Sequence, residues 1–134
     1  MARYVIDAPT LLHLLDRNLR VDPNHQLVAP NTIRSEALQL LLDDVRRGIR
    51  TEKAALETHE RLTGLKMRLL GDRVARNLAW RIALQNDWET LRDAEYLAIV
   101  GLQADALVTI DPDLAAKAKD IVAVAPLQSL FAGS

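Results

Sequence analysis

Four carboxylates, far apart in the chain, stand where an α/β fold brings side chains together: Asp7, Glu36, Asp93 and Asp111. Asp7 and Asp111 each end an apolar run and closely precede a proline, whereas Glu36 and Asp93 fall in the first turns of predicted helices. Carboxylates that share one site repel each other and raise each other's pKa values, so a cation is needed among them. Oxygen ligands without His or Cys favour Mg²⁺ or Mn²⁺ over Zn²⁺.

Acid-held Mg²⁺ suits the hydrolysis of a phosphodiester. One ion lowers the pKa of the attacking water, and a second ion, if the site holds two, stabilises the leaving oxygen from about 3.5–4 Å away. Three of the acids also have a purely structural interpretation. Asp7 can cap a helix, Glu36 can reach solvent from the edge of an apolar stripe, and Asp93 can favour the dipole of its helix.

The elements that must position these acids are strands alternating with helices. Five short runs predict strands: Tyr4–Ile6, Gln26–Ala29, Lys66–Leu70, Ala106–Ile110 and Ile121–Val124. Alternation with helices implies right-handed crossovers and an α/β domain, in which a parallel sheet of about five strands lies between helical layers. Asp7 and Asp111 then stand at carboxyl ends of strands, the edge where such sheets bind ligands.

Apolar residues at helical spacing predict the helices between these strands. The first begins near Pro9, the second follows Asn31 or Thr32 and stops before Gly48, and the third is capped by Thr51. The others are Arg73–Gln85, Leu91–Gln103 with Thr90 as cap, and a short helix after Pro112. The expected inner faces are Ala55, Leu56, His59 and Leu62 in the third helix, and Val74, Leu78, Trp80 and Ile82 in the fourth.

The composition is that of an ordinary globular protein. With 134 residues, the chain is expected to form a single domain spanning 1–134. The net charge of −1 gives no global bias toward nucleic acid, and the absence of Cys excludes disulfides and thiolate metal sites. We see no secretory signal and no apolar run long enough for a membrane span, so we expect a cytoplasmic protein.

One stretch departs from this even charge balance. Arg68, Arg73, Arg76 and Arg81 give the region a local positive excess. A solvated helix face is the usual explanation, and a patch that holds phosphates is the sharper one. The few aromatic residues (one Phe, two Trp and two Tyr) argue against a base-stacking surface.

Four segments together resemble a known family. They are VIDAPTLL at 5–12, SEALQLL at 35–41, RDAEYLAI at 92–99 and LVTIDPDL at 107–114. In their order and spacing, the chain resembles the PIN-domain ribonucleases, specifically toxins of the VapC type from toxin–antitoxin pairs. The resemblance implies a PIN-like three-layer domain, an endoribonuclease dependent on Mg²⁺ or Mn²⁺, a cognate VapB-type antitoxin and a homodimer.

The resemblance also assigns roles to residues. Its acidic quartet corresponds to Asp7, Glu36, Asp93 and Asp111, with Asp7 and Asp93 expected to bind the metal directly. Thr109 matches a hydroxyl residue that often accompanies the last Asp. Further candidates for substrate contact are Arg92, which could hold a phosphate or pair with a site carboxylate, and Asp113, which could instead cap the short helix.

The chain departs from the family pattern at Pro9, where a small hydroxyl residue is usual. Thr10 can supply the hydroxyl instead, or the function can be absent. This departure keeps open an alternative: a catalytically inactive PIN-like module that binds RNA or a protein. A phosphoacceptor receiver domain fits less well, because the first strand is followed by a single Asp and no Lys follows Ile121.

Overall fold

The computed structural model describes residues 1–131, in which helices and parallel strands alternate. The elements are, in order, β1 (Arg3–Ile6), α1 (Ala8–Asp16), β2 (Gln26–Pro30), α2 (Ile33–Arg46), α3 (Glu52–Gly64), β3 (Arg68–Leu70), α4 (Arg73–Gln85), α5 (Arg92–Gln103), β4 (Ala106–Val108) and α6 (Pro112–Ala118). A turn of 3₁₀ helix, Leu127–Leu130, follows. Across residues 1–131, we find no helix with the length and apolar character needed to cross a membrane.

Within residues 1–131, the sheet has four strands in the order β3-β2-β1-β4, all parallel, rather than the expected number of about five. Of the predicted strand Ile121–Val124, only an isolated parallel bridge between Val124 and Leu107 forms. The backbone N–H groups of Ile121 and Val122 both donate to the carbonyl of Ala118, each at 2.9 Å. These donors extend the turn after α6, so the segment cannot form a longer ladder.

The strand predicted over Ala106–Ile110 ends early, at Val108. Beyond it, threonine hydroxyls replace a neighbouring strand as acceptors. The N–H of Ile110 donates to Oγ1 of Thr10, and the N–H of Asp111 donates to Oγ1 of Thr109, each at 3.0 Å. The end of β4 is thus tied to the start of α1, which brings together segments about 100 residues apart.

Both faces of the sheet are covered, which confirms the layered α/β architecture. Val5 and Ile6 are both fully buried, and neighbouring residues of a strand point to opposite faces. Helix α5 packs against β1, β2 and β4, with α4 packed along α5, while α1, α2 and α3 pack against one another. Continuous burial of this kind is typical of parallel strands that lie between two helical layers.

The inner faces of two helices were predicted correctly only in part: Ala55, Leu62 and Ile82 are buried as expected, whereas other residues are not. In α3, Thr58 is buried and Leu56 is 56% exposed. In α4, Val74 and Trp80 are 59% and 62% exposed. The buried side of α4 carries mainly small residues: Ala75, Ala79, Ile82 and Ala83. Because short side chains let two helices approach closely, the alanine side of α4 faces α5 and the larger side chains remain outside.

Most predicted helix ends are confirmed. Gly48 follows α2 with a φ of 73°, a conformation that glycine adopts at little cost. The hydroxyl of Thr51 caps α3 by accepting from the N–H of Ala54 at 3.1 Å. The expected cap at Thr90 is wrong, because α5 begins directly after Leu91, whose side chain makes no capping hydrogen bond.

Candidate active site

The order of the strands locates a crevice in the sheet. From β1 the chain adds β2 and β3 on one side, and it then returns to place β4 on the other side of β1. Ligands bind at such a reversal, outside the carboxyl ends of the two strands that flank it, here β1 and β4. Asp7 follows β1 directly, and Thr109 and Asp111 follow β4.

A cavity of about 330 Å³ lies at this position. It brings together the four predicted acids, as its lining shows: Asp7, Ala8, Pro9, Glu36, Gln39, Leu40, Asp43, Arg92, Asp93, Tyr96, Asp111 and Leu114. Of the three candidate substrate residues, Arg92 lines the cavity, Thr109 contacts Asp7 from outside the lining, and Asp113 does not reach it. The order of the strands and the positions where α2 and α5 begin therefore bring together acids that are far apart in the sequence.

Asp7 is 3% exposed, and threonine hydroxyls hold both of its carboxylate oxygens. Thr10 Oγ1 donates to Oδ1, and Thr109 Oγ1 donates to Oδ2 at 2.7 Å. The same carboxylate caps α1 through the N–H of Thr10, so the structural interpretation of Asp7 is confirmed as well. Burial raises the pKa of Asp7 above its ordinary value of 3.8, although the hydroxyl hydrogen bonds oppose the rise.

Thr10 supplies a hydroxyl that Pro9 cannot. Its Oγ1 is fully buried between two partners, donating to Asp7 and accepting from the N–H of Ile110. Pro9 lies in the first turn of α1 and lines the cavity. The departure from the family pattern therefore moves the hydroxyl by one residue and keeps it in contact with Asp7.

Asp111 stands at the end of α6 that faces the cavity. Its Oδ1 accepts the N–H of Asp113 at 2.9 Å and so caps the helix. Asp113 itself is exposed in the first turn of α6 and does not line the cavity. Its predicted role as the cap of this helix is wrong, because its own N–H donates to the cap residue Asp111.

Glu36 and Tyr96 join α2 to α5 at the cavity. Tyr96 Oη donates to Oε2 of Glu36, so the hydroxyl engages one of the two carboxylate oxygens. Burial raises the pKa of Glu36, and the hydrogen bond from Tyr96 opposes that rise. Burial and the nearby Glu36 carboxylate raise the pKa of Tyr96, which keeps the hydroxyl protonated as a donor. Tyr96 was not predicted as a site residue. Its position three residues after Asp93 nevertheless places the two side chains on one face of α5.

Asp93 is held by cations rather than by hydroxyls. Lys117 Nζ lies 3.0 Å from Oδ2, and Arg92 Nε lies 3.8 Å from Oδ1. The Lys117 ammonium also sits over the ring of Trp88, 5.3 Å from its centroid. Lys117 and Trp88 were not foreseen, because nothing in their spacing links them to Asp93. The pairing of Arg92 with a site carboxylate agrees with one of its two interpretations.

The donor set suits a hard cation. Within residues 1–131, no group of three or more His, Cys, Asp or Glu side chains is arranged so as to hold a metal ion. Mg²⁺ keeps several waters and often takes only one or two carboxylates together with substrate phosphates. The carboxylates along this cavity offer oxygen ligands of the type that this mode of binding uses, although they do not form a closed cage.

Comparison with known proteins supports the fold. No family model matches the chain, and no curated protein matches it. The crystal structure of PAE2754 from Pyrobaculum aerophilum is similar with a TM-score of 0.72 at 22% identity, covering 96% of this chain and 93% of that one. The 2.2 Å resolution structure of VapBC-1 from nontypeable Haemophilus influenzae is similar with a TM-score of 0.57 at 16% identity, covering 90% of this chain and 95% of that one.

At these identities the similarity concerns the fold alone. The chain has a PIN-like fold of the VapC type, as the resemblance of its sequence implied. The difference from the expected fold lies at the edge of the sheet beside β4, where a bridge takes the place of a fifth strand.

Proposed function

We propose that this chain is a Mg²⁺- or Mn²⁺-dependent endoribonuclease, the toxin of a VapBC-type toxin–antitoxin pair. One observation carries the proposal. The acids Asp7, Glu36, Asp93 and Asp111 line a single cavity at the strand-order reversal of a VapC-like fold. Grouped carboxylates with two pKa values raised by burial are costly for stability, and such a cost is typical of functional sites.

Asp7 and Asp93 would hold the metal directly, and Glu36 and Asp111 would complete the site directly or through water. When bound, Mg²⁺ or Mn²⁺ supplies Lewis-acid neutralisation of phosphate charge and makes a nearby water a stronger nucleophile. Because hydroxyl hydrogen bonds fix both oxygens of Asp7, that carboxylate is positioned before any ligand arrives.

The remaining steps belong to the chain's own side chains. Glu36, whose pKa burial raises, orients the attacking water and accepts its proton, while Tyr96 fixes the carboxylate. The water oxygen bonds to phosphorus as the phosphorus–oxygen bond to the leaving strand breaks. Arg92 lines the cavity with an exposed side chain and would contact the phosphate.

The antitoxin is part of the same proposal. One similar structure bears the name VapBC-1, which joins the two components of such a pair. A basic side chain from the antitoxin, placed among the acids, would block the cavity. The contact between Lys117 and Asp93 shows that an ammonium group fits against one of these carboxylates. The resemblance further implies that the toxin forms a homodimer.

The test is cleavage of total RNA by the purified chain, freed of any antitoxin, in Mg²⁺ or Mn²⁺ with and without EDTA. Asp7→Asn and Asp93→Asn remove a carboxylate each, and we expect each to lose more than about 100-fold of the activity. Asn caps helices as well as Asp does, so Asp7→Asn should still fold. Asp72→Asn is the matched control, because Asp72 caps α4 outside the cavity.

Three results separate the possible outcomes. Discrete cuts that disappear with EDTA and in both site variants, but persist in Asp72→Asn, support the proposal. Cleavage that is unaffected by Asp7→Asn or by EDTA contradicts it. If the chain neither cuts RNA nor binds Mn²⁺, the inactive RNA- or protein-binding module becomes the better account.

A further inference from the structure

One face of α4 stands outside both the core and the cavity, and it combines positive charge with an exposed aromatic ring. Its residues, called here the α4 basic face, are Arg73, Arg76, Trp80 and Arg81, all exposed. Trp80 is 62% exposed although Trp is usually well buried, so its position calls for an explanation. The packing that produces it is the alanine contact between α4 and α5.

The charge of this face is not balanced locally. The helix Arg73–Gln85 contains no Asp or Glu. Among residues 1–131, no carboxylate forms an ion pair with any of the three arginines. The carboxylate of Asp72 accepts the N–H of Ala75 at 2.8 Å and serves as the helix cap. In a chain of net charge −1, this is a segregated positive surface.

Contacts just beyond one end of α4 link this helix to the candidate active site. At its other end, Arg76 and Glu95 line a separate small cavity of about 120 Å³. Just beyond its end, the N–H of Trp88 donates to the carbonyl of Ala83 at 2.9 Å. Trp88 lies under Lys117, which bonds Asp93. Through Trp88 and Lys117, the end of α4 is therefore joined to the rim of the cavity, where a strand leaving the cavity would meet this helix.

We propose that the α4 basic face binds single-stranded RNA beyond the cavity. Contrary to the expectation from the low aromatic content, a base stacks on the exposed indole of Trp80, and Arg73, Arg76 and Arg81 contact the flanking phosphates. Exposed aromatic rings between cations bind single strands in this way, since every base has a π-face and every linkage has a charge. The identification of the ligand as RNA rests on the proposed function.

A second copy of the chain is a less suitable occupant. Val74, Trp80 and Leu84, which is 71% exposed, would provide apolar area for self-association. However, a two-fold contact through this face would bring the three arginines of both copies into one interface, and the helix carries no Asp or Glu to balance them. Like charges juxtaposed in an interface are strongly unfavourable, whereas a polyanion neutralises them.

The test is binding of a fluorescein-labelled single-stranded RNA of about 20 nucleotides, in EDTA, where binding is separated from cleavage. We expect Trp80→Leu to weaken binding about tenfold and Trp80→Phe, which keeps an aromatic face, to restore most of it. Leu84→Ala is the control for loss of apolar area. Only the stacking role predicts that Phe rescues and that Leu84→Ala has no effect.

Charge is tested by salt dependence. Replacing Arg73, Arg76 and Arg81 together by Gln should lower the slope of log K against log salt by about 2 for a single strand. The matched control replaces Arg20, Arg46 and Arg47 by Gln, which changes the net charge by the same amount. Arg20 lies in the loop after α1, Arg46 and Arg47 lie at the end of α2, and all three are exposed. The slope of this control should match that of the wild type.

The proposal fails if Trp80→Leu binds RNA as the wild type does, or if both arginine triples lower the slope equally. If Trp80→Leu also converts a dimer to a monomer in sedimentation while RNA binding is intact, the face is an interface between copies instead. Cleavage with Trp80-independent binding overturns this inference alone. Trp80-dependent binding without cleavage supports the surface and overturns the proposed nuclease.

Discussion

The two central carboxylates of the cavity are held in opposite ways. Asp7 is buried at the end of β1, where two neutral hydroxyls donate to its oxygens. Asp93, in the first turn of α5, is partly exposed and bonded to Lys117, which itself remains 44% exposed. One side of the cavity is fixed by uncharged donors in the core, and the other is balanced by flexible cations at the rim.

This difference shows how a protein can keep an acid ready for a ligand. A hydroxyl orients a carboxylate and leaves its full negative charge in place, so Asp7 keeps its attraction for a cation. An ammonium group neutralises the charge that it contacts, so Lys117 must move before another cation reaches Oδ2 of Asp93. Because exposed ion pairs are weak, that displacement costs little. The hydroxyl donors thus hold Asp7 in one position, whereas Asp93 can exchange the Lys117 ammonium for another cation.

Removal of a hydroxyl that holds Asp7 should have a larger effect than removal of the cation that pairs with Asp93. Thr109→Val takes the donor from Oδ2 of Asp7 and the acceptor from the N–H of Asp111. We expect RNA cleavage to fall about 10- to 100-fold, the usual loss when an outer partner of a ligand is removed. Thr109→Ser, which restores both hydrogen bonds, should recover most of the activity. Equal activity in the Val and Ser variants would show that the hydroxyl does not position Asp7.

The burial of Asp7 should be visible in stability as a function of pH. Since burial raises its pKa above 3.8, the unfolded chain ionises more readily than the folded chain, and stability falls as pH rises through the folded pKa. Asn has no charge to bury, so the melting temperature of Asp7→Asn should exceed that of the wild type at neutral pH.

That advantage should shrink on acidification and disappear below the ordinary pKa of 3.8. Calorimetry across this pH range gives the measurement, with Asp72→Asn, the same substitution at an exposed helix cap, as the control. A variant Asp7→Asn that melts at or below the wild-type temperature at neutral pH would contradict the cost assigned to this buried carboxylate.

Removal of the cation that pairs with Asp93 should have the smallest effect, and it should strengthen metal binding rather than weaken function. Lys117→Met keeps a long side chain over Trp88 and removes the cation from Asp93. Exposed pairs contribute up to about 1 kcal/mol, so the Kd for Mn²⁺ should fall about two- to fivefold. Lys119→Met, at an exposed position just after α6, is the matched control. Unchanged or weaker Mn²⁺ binding in Lys117→Met would mean that Lys117 supports Asp93 rather than competing for it.

Local sequence signals predicted most of the elements but placed some large apolar side chains on the wrong face of their helices. The span Arg73–Gln85 is the helix α4 as predicted, yet Trp80 lies outside. Hydrophobicity alone favours the largest apolar side chains as the core. The close packing of Ala75 and Ala79 on α5 determines the orientation instead, and no periodicity within α4 reveals which neighbour it meets.

Within the candidate site, the sequence predicted which residues of one element lie close together, but it did not predict contacts between different elements. The acids after β1 and β4 could be placed at the sheet edge because parallel strands share their carboxyl ends. Tyr96 could have been found from its spacing to Asp93. By contrast, the hydrogen bond from Thr109 to Asp7 spans 102 residues and depends on β4 pairing with β1.

The sequence by itself determined the alternation of strands and helices, the acids at the ends of strands and in first turns, and the caps at Asp7 and Thr51. These features depend on residues within a few positions of one another, where propensity and hydrogen bonding are local. The tertiary structure decided the strand order, the loss of the fifth strand, the hydroxyl shell of Asp7 and the exposure of Trp80. Those depend on which distant surfaces pack together, and that choice minimises the free energy of the whole chain rather than of any segment.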